Sequence, residues 1–261
     1  DFVVLCSEWM ENQFFNATLT LDVVEHKLLS NKKNASVKST QTRDGLAVCD
    51  LHDRQKSRLI PEDAPFLRSL GISGDGGKVY RASQGKYRQI NKFVEILDGL
   101  CGGKSIKTVA DMGCGKGYLS FATYSHLATL QKDISLVGYE LRPKLVSEIN
   151  SIARLHKLSG LSFEVGDISQ IDIPKTDMVI ALHACDIATD LAIAKGIEVG
   201  AELIVVSPCC HKQIRNTMKG NPRTVSSLSH GIMKERMAEW LTDAIRALLL
   251  ESKGYKTKIM E

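Results

Sequence analysis

From Lys86 onward, short runs of aliphatic residues alternate with segments of helical periodicity, and this alternation constrains the fold more than any other feature of the chain. Strand and helix in strict alternation, with Val- and Ile-rich strands, are typical of a parallel sheet covered by helices. We therefore predict a doubly wound α/β domain over residues 86–261. After a helical pattern that reaches Gly99, the predicted strands are Thr108–Met112, Ser135–Glu140, Ser162–Val165, Met178–Leu182, Glu202–Ser207 and Lys256–Met260, and the predicted helices are Gly117–Leu130, Pro143–His156, Ala188–Gly196 and Ile232–Ser252.

The first 85 residues lack this alternation. Residues 1–50 contain short alternating segments and turn-forming runs, which predict a small accessory piece that is β-rich or α+β. Residues 51–85 are polar and rich in glycine, proline and charge, which predicts a linker with one short helix near Phe66–Leu70.

Composition excludes several classes of protein. At 261 residues, with 43% hydrophobic and 25% charged residues, the chain resembles an ordinary globular protein. Its apolar runs are far shorter than the roughly 20 residues of a membrane span, so no membrane association is expected. The seven cysteines are odd in number and scattered, which favours a reducing compartment, the cytoplasm, or the nucleus of a eukaryote. No pattern in the sequence predicts the oligomeric state.

The most informative stretch is VADMGCGKGYL, from Val109 to Leu119. It lies where a predicted strand turns into a predicted helix, so its glycines would let the backbone approach a ligand beside the free N–H groups of the helix. The dinucleotide fingerprint is G-x-G-x-x-G, whereas this loop reads G-x-G-x-G and follows Asp111, two residues before Gly113. The carboxylate would repel a pyrophosphate and attract ammonium and sulfonium groups, which favours S-adenosylmethionine over NAD.

Two further acids follow the next two predicted strands. Glu140 ends one strand, where a carboxylate can accept hydrogen bonds from both ribose hydroxyls. Asp167 follows the next strand, where an acid can reach an adenine amino group. A glycine loop alone is also what an ordinary tight turn needs. Together with acids at three successive strand ends, it favours a methyltransferase over a dehydrogenase.

Three motifs make the sequence similar to a known family: Asp111 to Tyr118, HACDIATD from His183 to Asp190, and PCCH from Pro208 to His211. They resemble a branch of the class I S-adenosylmethionine-dependent methyltransferases. That branch includes uncharacterised bacterial methyltransferases and the methyltransferase half of the glutathione S-transferase C-terminal domain-containing protein. The resemblance implies a Rossmann-like methyltransferase fold, activity in class EC 2.1.1.-, and S-adenosyl-L-methionine as the cofactor.

The resemblance also implies the residues that contact the cofactor. They are Asp111, Gly113, Gly115, Glu140, Asp167, Ile168 and His183, to which we add Cys114, Gly117, Tyr118 and Leu141 from the same loops. In the family, the strand predicted at Lys256–Met260 is followed by a further antiparallel strand, which we expect to lie beyond Glu261.

Histidines and cysteines follow two predicted strands that should be neighbours. His183 and Cys185 follow the fourth strand, and Cys209, Cys210 and His211 follow the fifth. One interpretation is a zinc site, although the usual C-x₂₋₄-C spacing is absent. Another is a covalent pyrimidine C5 mechanism, in which a thiolate adds to the ring. The third, which we favour, is a shaped pocket floor with His183 as a base or hydrogen-bonding group.

We therefore predict no bound metal and name His183, Cys209 and Cys210 as the candidate catalytic residues. Adjacent residues that leave a strand should point in different directions. On this ground we do not expect the two neighbouring thiols to face one ligand.

The distribution of charge favours a polyanionic partner. The net charge is +4, and no acidic residue occurs between Glu202 and Glu235 although several cations do. A solvated basic face is the ordinary alternative. The candidate substrate-binding residues are Lys212, Arg215, Lys219 and Arg88.

The His-Ala-Cys and Cys-Cys-His runs also resemble, more distantly, the eukaryotic tRNA 2′-O-methyltransferase of the acceptor stem. We therefore predict a methyltransferase that acts on structured RNA, either rRNA or tRNA. The alternatives are a protein or small-molecule methyltransferase, or a module that binds the cofactor without catalysis. Met233, Met237 and Trp240 are predicted to be core residues of the last helix.

Overall fold

The computed structural model describes residues 16–21, 24–30, 35–41, 58–182, 186–218 and 230–260. The chain divides into two compact units, Asp1–Ser57 and Arg58–Glu261.

The first unit contains a three-stranded antiparallel sheet. Its strands are β1 (Asn16–Leu21), β2 (Val24–Ser30) and β3 (Ala35–Gln41), paired in the order β1-β2-β3. The sheet confirms the predicted accessory β-rich piece. Val37 on β3 is 62% exposed.

The second unit is built on a parallel sheet of five strands in the order β6-β5-β4-β7-β8. The strands are β4 (Thr108–Met112), β5 (Ser135–Glu140), β6 (Leu161–Val165), β7 (Met178–Leu182) and β8 (Leu203–Ser207). Every residue of β7 is buried, as parallel strands covered on both faces require. The predicted parallel α/β fold is confirmed.

Helices connect these strands. They are α1 (Pro65–Ser69), α2 (Gln84–Cys101), α3 (Tyr118–Leu130), α4 (Pro143–Leu155), α5 (Ile187–Glu198), α6 (Lys212–Thr217) and α7 (Gly231–Ser252). A short 3₁₀ turn, Arg81–Ser83, precedes α2. Among the described residues, none of the helices combines the length and apolar character needed to cross a bilayer.

The strand order creates a switch point in the middle of the sheet. The chain passes outward from β4 to β5 and β6, and then returns to the other side of β4 for β7 and β8. In open parallel sheets, ligands bind outside the carboxyl ends of the strands at such a point. The glycine loop leaves β4 there, so the fold places the loop where a ligand site is expected.

Residues 58–85 differ from the predicted linker because they pack into the core of the second unit. Ile60, Leu67 and Ile72 are each at most 2% exposed. The backbone of Ile60 is also tied to α2: its N–H donates to Oδ1 of Asn91 at 3.0 Å, and its carbonyl accepts from the hydroxyl of Tyr87 at 2.6 Å. Because polar residues surround these apolar positions, the composition of the segment predicted a linker and not a part of the core.

Two other sequence predictions are corrected at the carboxyl end. Trp240 and Met233 are 66% and 50% exposed, and Met237 is 38% exposed, so none of these is a core residue. Helical spacing shows which residues share a face but not whether another element covers that face. Lys256–Met260 forms no strand, and within the described part of the chain the outer edge of β8 is unpaired.

A cavity of about 1090 Å³ lies along this edge of β8, with α2, α7 and the last residues as its other walls.

Candidate cofactor site

The glycine loop folds over the carboxyl end of β5. The N–H groups of Gly113 and Cys114 donate to the carbonyl of Tyr139 at 2.9 and 3.0 Å, and the N–H of Gly115 donates to Oε2 of Glu140 at 3.1 Å. Gly117, where α3 begins, has φ of 70°, a left-handed conformation that favours glycine. Because the protein's own acceptors use these loop amides, they do not form the phosphate cradle of a dinucleotide site.

Asp111 lies beneath this loop and is only 2% exposed. Its Oδ2 accepts a hydrogen bond from the hydroxyl of Ser120 at 2.5 Å. Burial raises the pKa of Asp111 to about 7, although the Ser120 hydrogen bond acts to lower it. This carboxyl group therefore changes its charge near neutral pH.

Glu140 lies at the end of β5 and is 7% exposed. Its Oε1 accepts from Nε of Arg142 at 2.8 Å and from the Arg142 backbone N–H at 3.2 Å. Its Oε2 accepts from Nη2 of Arg142 at 3.2 Å in addition to Gly115. The side-chain hydrogen bonds from Arg142 lower the pKa of Glu140, so this carboxyl group is ionised near neutral pH.

Asp167 follows β6 and is exposed. Its Oδ1 accepts from the backbone N–H and the hydroxyl of Ser169 at 2.8 and 2.7 Å, and these bonds lower the pKa of Asp167. Ile168 is half-buried, with its Cδ1 3.6 Å from where a Cβ on Gly113 would lie. Leu141 is 63% exposed.

A cavity of about 370 Å³ brings several of these groups together. Cavities of this size lie within the range of small-molecule sites, roughly 300–1,000 Å³. Its lining residues are Asp111, Gly113, Cys114, Gly115, Lys116, Tyr118, Leu119, Glu140, Arg142 and Leu182. The cavity offers two carboxyl groups as acceptors, exposed backbone at the glycines, and the apolar side chains of Leu119 and Leu182. These groups fit an adenosyl group linked to an amino acid. The larger cavity beside β8 lacks these acids.

Cys114 in this cavity is not a nucleophile. Burial, followed by the nearby charges of Asp111 and Glu140, raises the pKa of the Cys114 thiol far above its usual range. The thiolate is therefore strongly disfavoured there.

The structure places part of the predicted His/Cys cluster. His183 and Cys185 lie outside the described residues, so their arrangement stays a prediction. Cys209 and Cys210 follow β8, and their sulfurs lie 3.7 Å apart. The expectation that the two thiols diverge is therefore wrong, because rotation about Cα–Cβ brings them together. Among the described residues, no group of three or more His, Cys, Asp or Glu residues is arranged to hold a metal ion.

Sequence analysis missed a network at the start of α5. Asp186 has φ of 54° and ψ of −114°, a conformation that is strained for a residue with a Cβ. Its carboxylate accepts from the N–H of Gln213 at 3.0 Å, and its carbonyl accepts from Nη2 of Arg246 at 3.2 Å. Nε of Arg246 also donates to Asp190 at 2.7 Å. This network joins α5, α6 and α7 beside the region after β7.

The candidate substrate-binding cations lie in different settings. Arg88 on α2 and Lys212 at the start of α6 are exposed. Arg215 pairs with Glu235 of α7 at 2.7 Å, so its charge is partly neutralised. Lys219 lies outside the described residues. The sequence between Glu202 and Glu235 contains no acidic residue, but in the fold Glu235 lies beside a cation of that stretch.

Residues 85–217, just over half of the chain, match the family described as "Methyltransferase domain". The chain belongs to this methyltransferase family. The match spans the glycine loop, the acids near the ends of β4 and β5, the acid that follows β6, and the Cys209–Cys210 pair. The predicted methyltransferase identity is confirmed, and the cofactor of this methyltransferase is S-adenosyl-L-methionine.

The methyltransferase is also similar to individual proteins. It is 28% identical over 143 residues to a glutathione S-transferase C-terminal domain-containing protein of Xenopus laevis, a match that covers 51% of this chain and 21% of the relative. The chain thus spans about a fifth of the length of that relative.

Two solved structures are similar over about half of the methyltransferase. A geranyl diphosphate methyltransferase in complex with SAM has 18% identity and a TM-score of 0.37, with 50% of this chain and 52% of that chain covered. A Pyrococcus abyssi tRNA (uracil-54, C5)-methyltransferase in complex with S-adenosyl-L-homocysteine has 14% identity and a TM-score of 0.36, with 46% and 28% covered. With scores below 0.5, neither structure indicates a substrate for this methyltransferase.

Four residues that line the cavity were not predicted from the sequence: Lys116, Leu119, Arg142 and Leu182. Ser120, which donates to Asp111, was missed as well. Arg142 follows Glu140 by two positions, and an arginine so close to a strand-end acid was a usable signal. Ser120 lies nine positions after Asp111, in the first turn of α3, and only the bend of the glycine loop brings the two together.

Proposed function

We propose that the chain transfers a methyl group from S-adenosyl-L-methionine to an RNA acceptor. When bound, the cofactor would supply an electrophilic methyl group, which the acceptor atom attacks in line while S-adenosyl-L-homocysteine leaves. The observation that carries the proposal is the cavity that Asp111 and Glu140 line together with the glycine loop. A decayed binding module has no need to keep this whole arrangement.

The predicted cofactor contacts have proposed roles. Glu140, in the cavity, accepts the ribose hydroxyls, and Asp167, which lies outside the cavity lining, accepts the adenine amino group. Gly113 and Gly115 allow close backbone approach, and Asp111 provides negative charge toward the cationic end of the cofactor. The chain thereby supplies orientation and proximity, which account for much of the rate in a bimolecular displacement.

Acceptor activation is proposed for the residues that follow β7 and β8. His183 takes the proton if the acceptor must lose one, which is worth about 10²- to 10⁴-fold in rate. Cys209 and Cys210 are proposed to line the pocket and to form no covalent bond with the substrate. Neither residue is proposed to bind zinc.

RNA is the proposed acceptor class because exposed cations lie near both ends of the methyltransferase match, residues 85–217. Lys212 and Arg88 are exposed and are proposed to meet phosphates together with Lys219. The ion pair of Arg215 with Glu235 makes Arg215 a weaker candidate. Methylation of a protein or small molecule is the alternative.

The test is incubation of the purified chain with tritiated cofactor and, separately, total cellular RNA and total cellular protein. Label in the RNA fraction is expected. RNA binding should also weaken linearly on a log–log plot against salt, with a slope that falls by about 2 in the Lys212→Ala/Lys219→Ala variant. Label confined to the protein fraction would overturn the RNA proposal, and cofactor binding with no label in any fraction would overturn catalysis.

A further inference from the structure

The carboxylate of Glu140 has no acceptor capacity to spare. An ionised carboxylate offers about four lone-pair positions on its two oxygens. Four N–H groups occupy them: Gly115 N and Arg142 Nη2 on Oε2, and Arg142 N and Nε on Oε1, at 3.1, 3.2, 3.2 and 2.8 Å. A ribose diol has to donate to the same oxygens, so at least one of these donors must leave first.

The four donors differ in how easily they can leave. Two are backbone N–H groups that are fixed by the glycine loop and by the turn before α4. The other two belong to one guanidinium, on a side chain that is 67% exposed, whereas the side chain of Glu140 is 9% exposed. The guanidinium can therefore move into water while the carboxylate stays in place.

We propose that the guanidinium of Arg142 occupies the ribose-diol position on Glu140 in the cofactor-free protein and is displaced when the cofactor binds. The inference rests on the proposed role of Glu140 as the ribose acceptor. The paired geometry supports it, because a two-pronged guanidinium and a vicinal diol both present two donors to one carboxylate. Arg142 thus lowers the affinity for the cofactor while it keeps the empty site satisfied.

The inference predicts an unusual response to mutation, since removal of a cation from the cavity should tighten binding. Exposed ion pairs contribute little, so Arg142→Ala should lower the Kd for S-adenosylhomocysteine by only about two- to fivefold. Salt weakens exposed ion pairs. The wild-type protein should therefore bind this ligand more tightly at about 300 mM KCl, where charges are screened over a few ångströms, than at about 20 mM KCl. Arg142→Ala should lose this salt dependence.

The experiment is titration calorimetry with S-adenosylhomocysteine on the full chain. Two variants remove the guanidinium, Arg142→Ala and Arg142→Gln. Two more test whether its effect depends on the carboxylate, Glu140→Gln and the double variant Glu140→Gln/Arg142→Ala. The control is Arg154→Ala, which changes an exposed arginine of α4. Arg142→Gln covers the case in which the alanine variant folds poorly. We expect tighter binding in both Arg142 variants, no change in Arg154→Ala, and no effect of Arg142→Ala once Glu140 is glutamine.

Unchanged or weaker binding by both Arg142 variants, with normal binding by the wild-type protein, would overturn this inference and leave the proposed function intact. Tighter binding that persists in the Glu140→Gln background would also overturn it, because the competition would then not involve that carboxylate. If the wild-type protein does not bind S-adenosylhomocysteine at all, the proposed function fails first.

Discussion

The hydroxyl of Ser120 donates to Oδ2 of Asp111 at 2.5 Å, across the glycine loop that separates the end of β4 from the first turn of α3. The bond ties the residue that precedes the loop to the helix that follows it. It is the one hydrogen bond that lowers the pKa of a carboxyl group that burial otherwise raises to about 7. Asp111 therefore affects the geometry of the loop, the charge of the site and the stability of the fold.

Asp111→Asn should make the cofactor-free protein more stable at neutral and alkaline pH. The pKa of Asp111 is about 7 in the folded state against 3.8 as the ordinary value, so the folded state binds the proton more tightly between these two values. Stability contributed by this group therefore falls as pH rises from about 4 to about 7 and then levels off. The asparagine variant lacks this loss. In urea unfolding, the free energy of unfolding of Asp111→Asn should exceed that of the wild-type protein by more at pH 8 than at pH 5, with a difference on the order of a few kcal/mol.

Asp172→Asn is the matched control, because that side chain is 98% exposed. It should follow the wild-type pH profile closely. A constant difference between Asp111→Asn and the wild-type protein across this range would show that Asp111 does not titrate near neutrality.

Arg246→Ala should destabilise the second unit through the network at the start of α5. The side chain is 7% exposed and contacts Asp190, Asp243 and the carbonyl of Asp186. Removal of one member of a buried ion pair costs about 3–5 kcal/mol; because Asp190 is 45% exposed, we expect about 2–3 kcal/mol after allowing for solvent screening. Chemical denaturation measures this loss.

Arg236→Ala on the same helix provides the comparison, since its side chain is 72% exposed and pairs with Glu239 three positions along. A loss of at most about 1 kcal/mol is expected there. Equal losses in the two arginine variants would argue against a structural role for the buried network.

Gly138→Ala should disturb the packing of β5 beneath the glycine loop. A Cβ at this position would lie 2.6 Å from Cδ1 of Phe163 and 3.0 Å from Sγ of Cys114. Overpacking of this kind costs about 1–3 kcal/mol. Gly99→Ala, in α2 with nothing within 4 Å of the new Cβ, should instead stabilise by about 0.5–1 kcal/mol. Thermal unfolding should shift the two variants in opposite directions, and a shift in the same direction would contradict the packing described for Gly138.

Cys209→Ser and Cys210→Ser should each keep measurable methyl transfer, whereas His183→Ala should lose about 10²-fold or more if His183 is the base. Initial rates with tritiated cofactor provide the measurement. A denaturation-resistant adduct with RNA that contains 5-fluoropyrimidine, absent in one cysteine variant, would instead establish the covalent mechanism. One zinc per chain by elemental analysis would establish the metal site.

Local sequence patterns predicted the sheet well. The bounds of β4, β5 and β7 agree with the sequence prediction at both ends, because buried parallel strands are continuous apolar runs between polar turns. The positions of Asp111 and Glu140 at the ends of β4 and β5 follow from those bounds. Their roles toward the cofactor stay predictions.

Contacts between distant parts of the chain were not predictable. Arg246 meets Asp190 across 56 positions, and nothing in either local sequence indicates that pair. The exposure of Trp240 depends on whether another element packs on α7. Hydrophobic periodicity along the helix gives no information about that. Residues 58–85 join the core through a few apolar side chains among polar ones, such as Ile60 and Leu67.

Glu140 is the residue that we propose holds the cofactor ribose. Titration calorimetry with S-adenosylhomocysteine should show one site per chain with a Kd in the micromolar range, which corresponds to a binding free energy of about −8 kcal/mol. Glu140→Ala should lose about 1–3 kcal/mol of binding free energy, while Glu95→Ala, which changes an exposed carboxylate of α2, should bind like the wild-type protein. Normal binding by Glu140→Ala, or binding of NADH in place of S-adenosylhomocysteine, would contradict the assignment of the cavity.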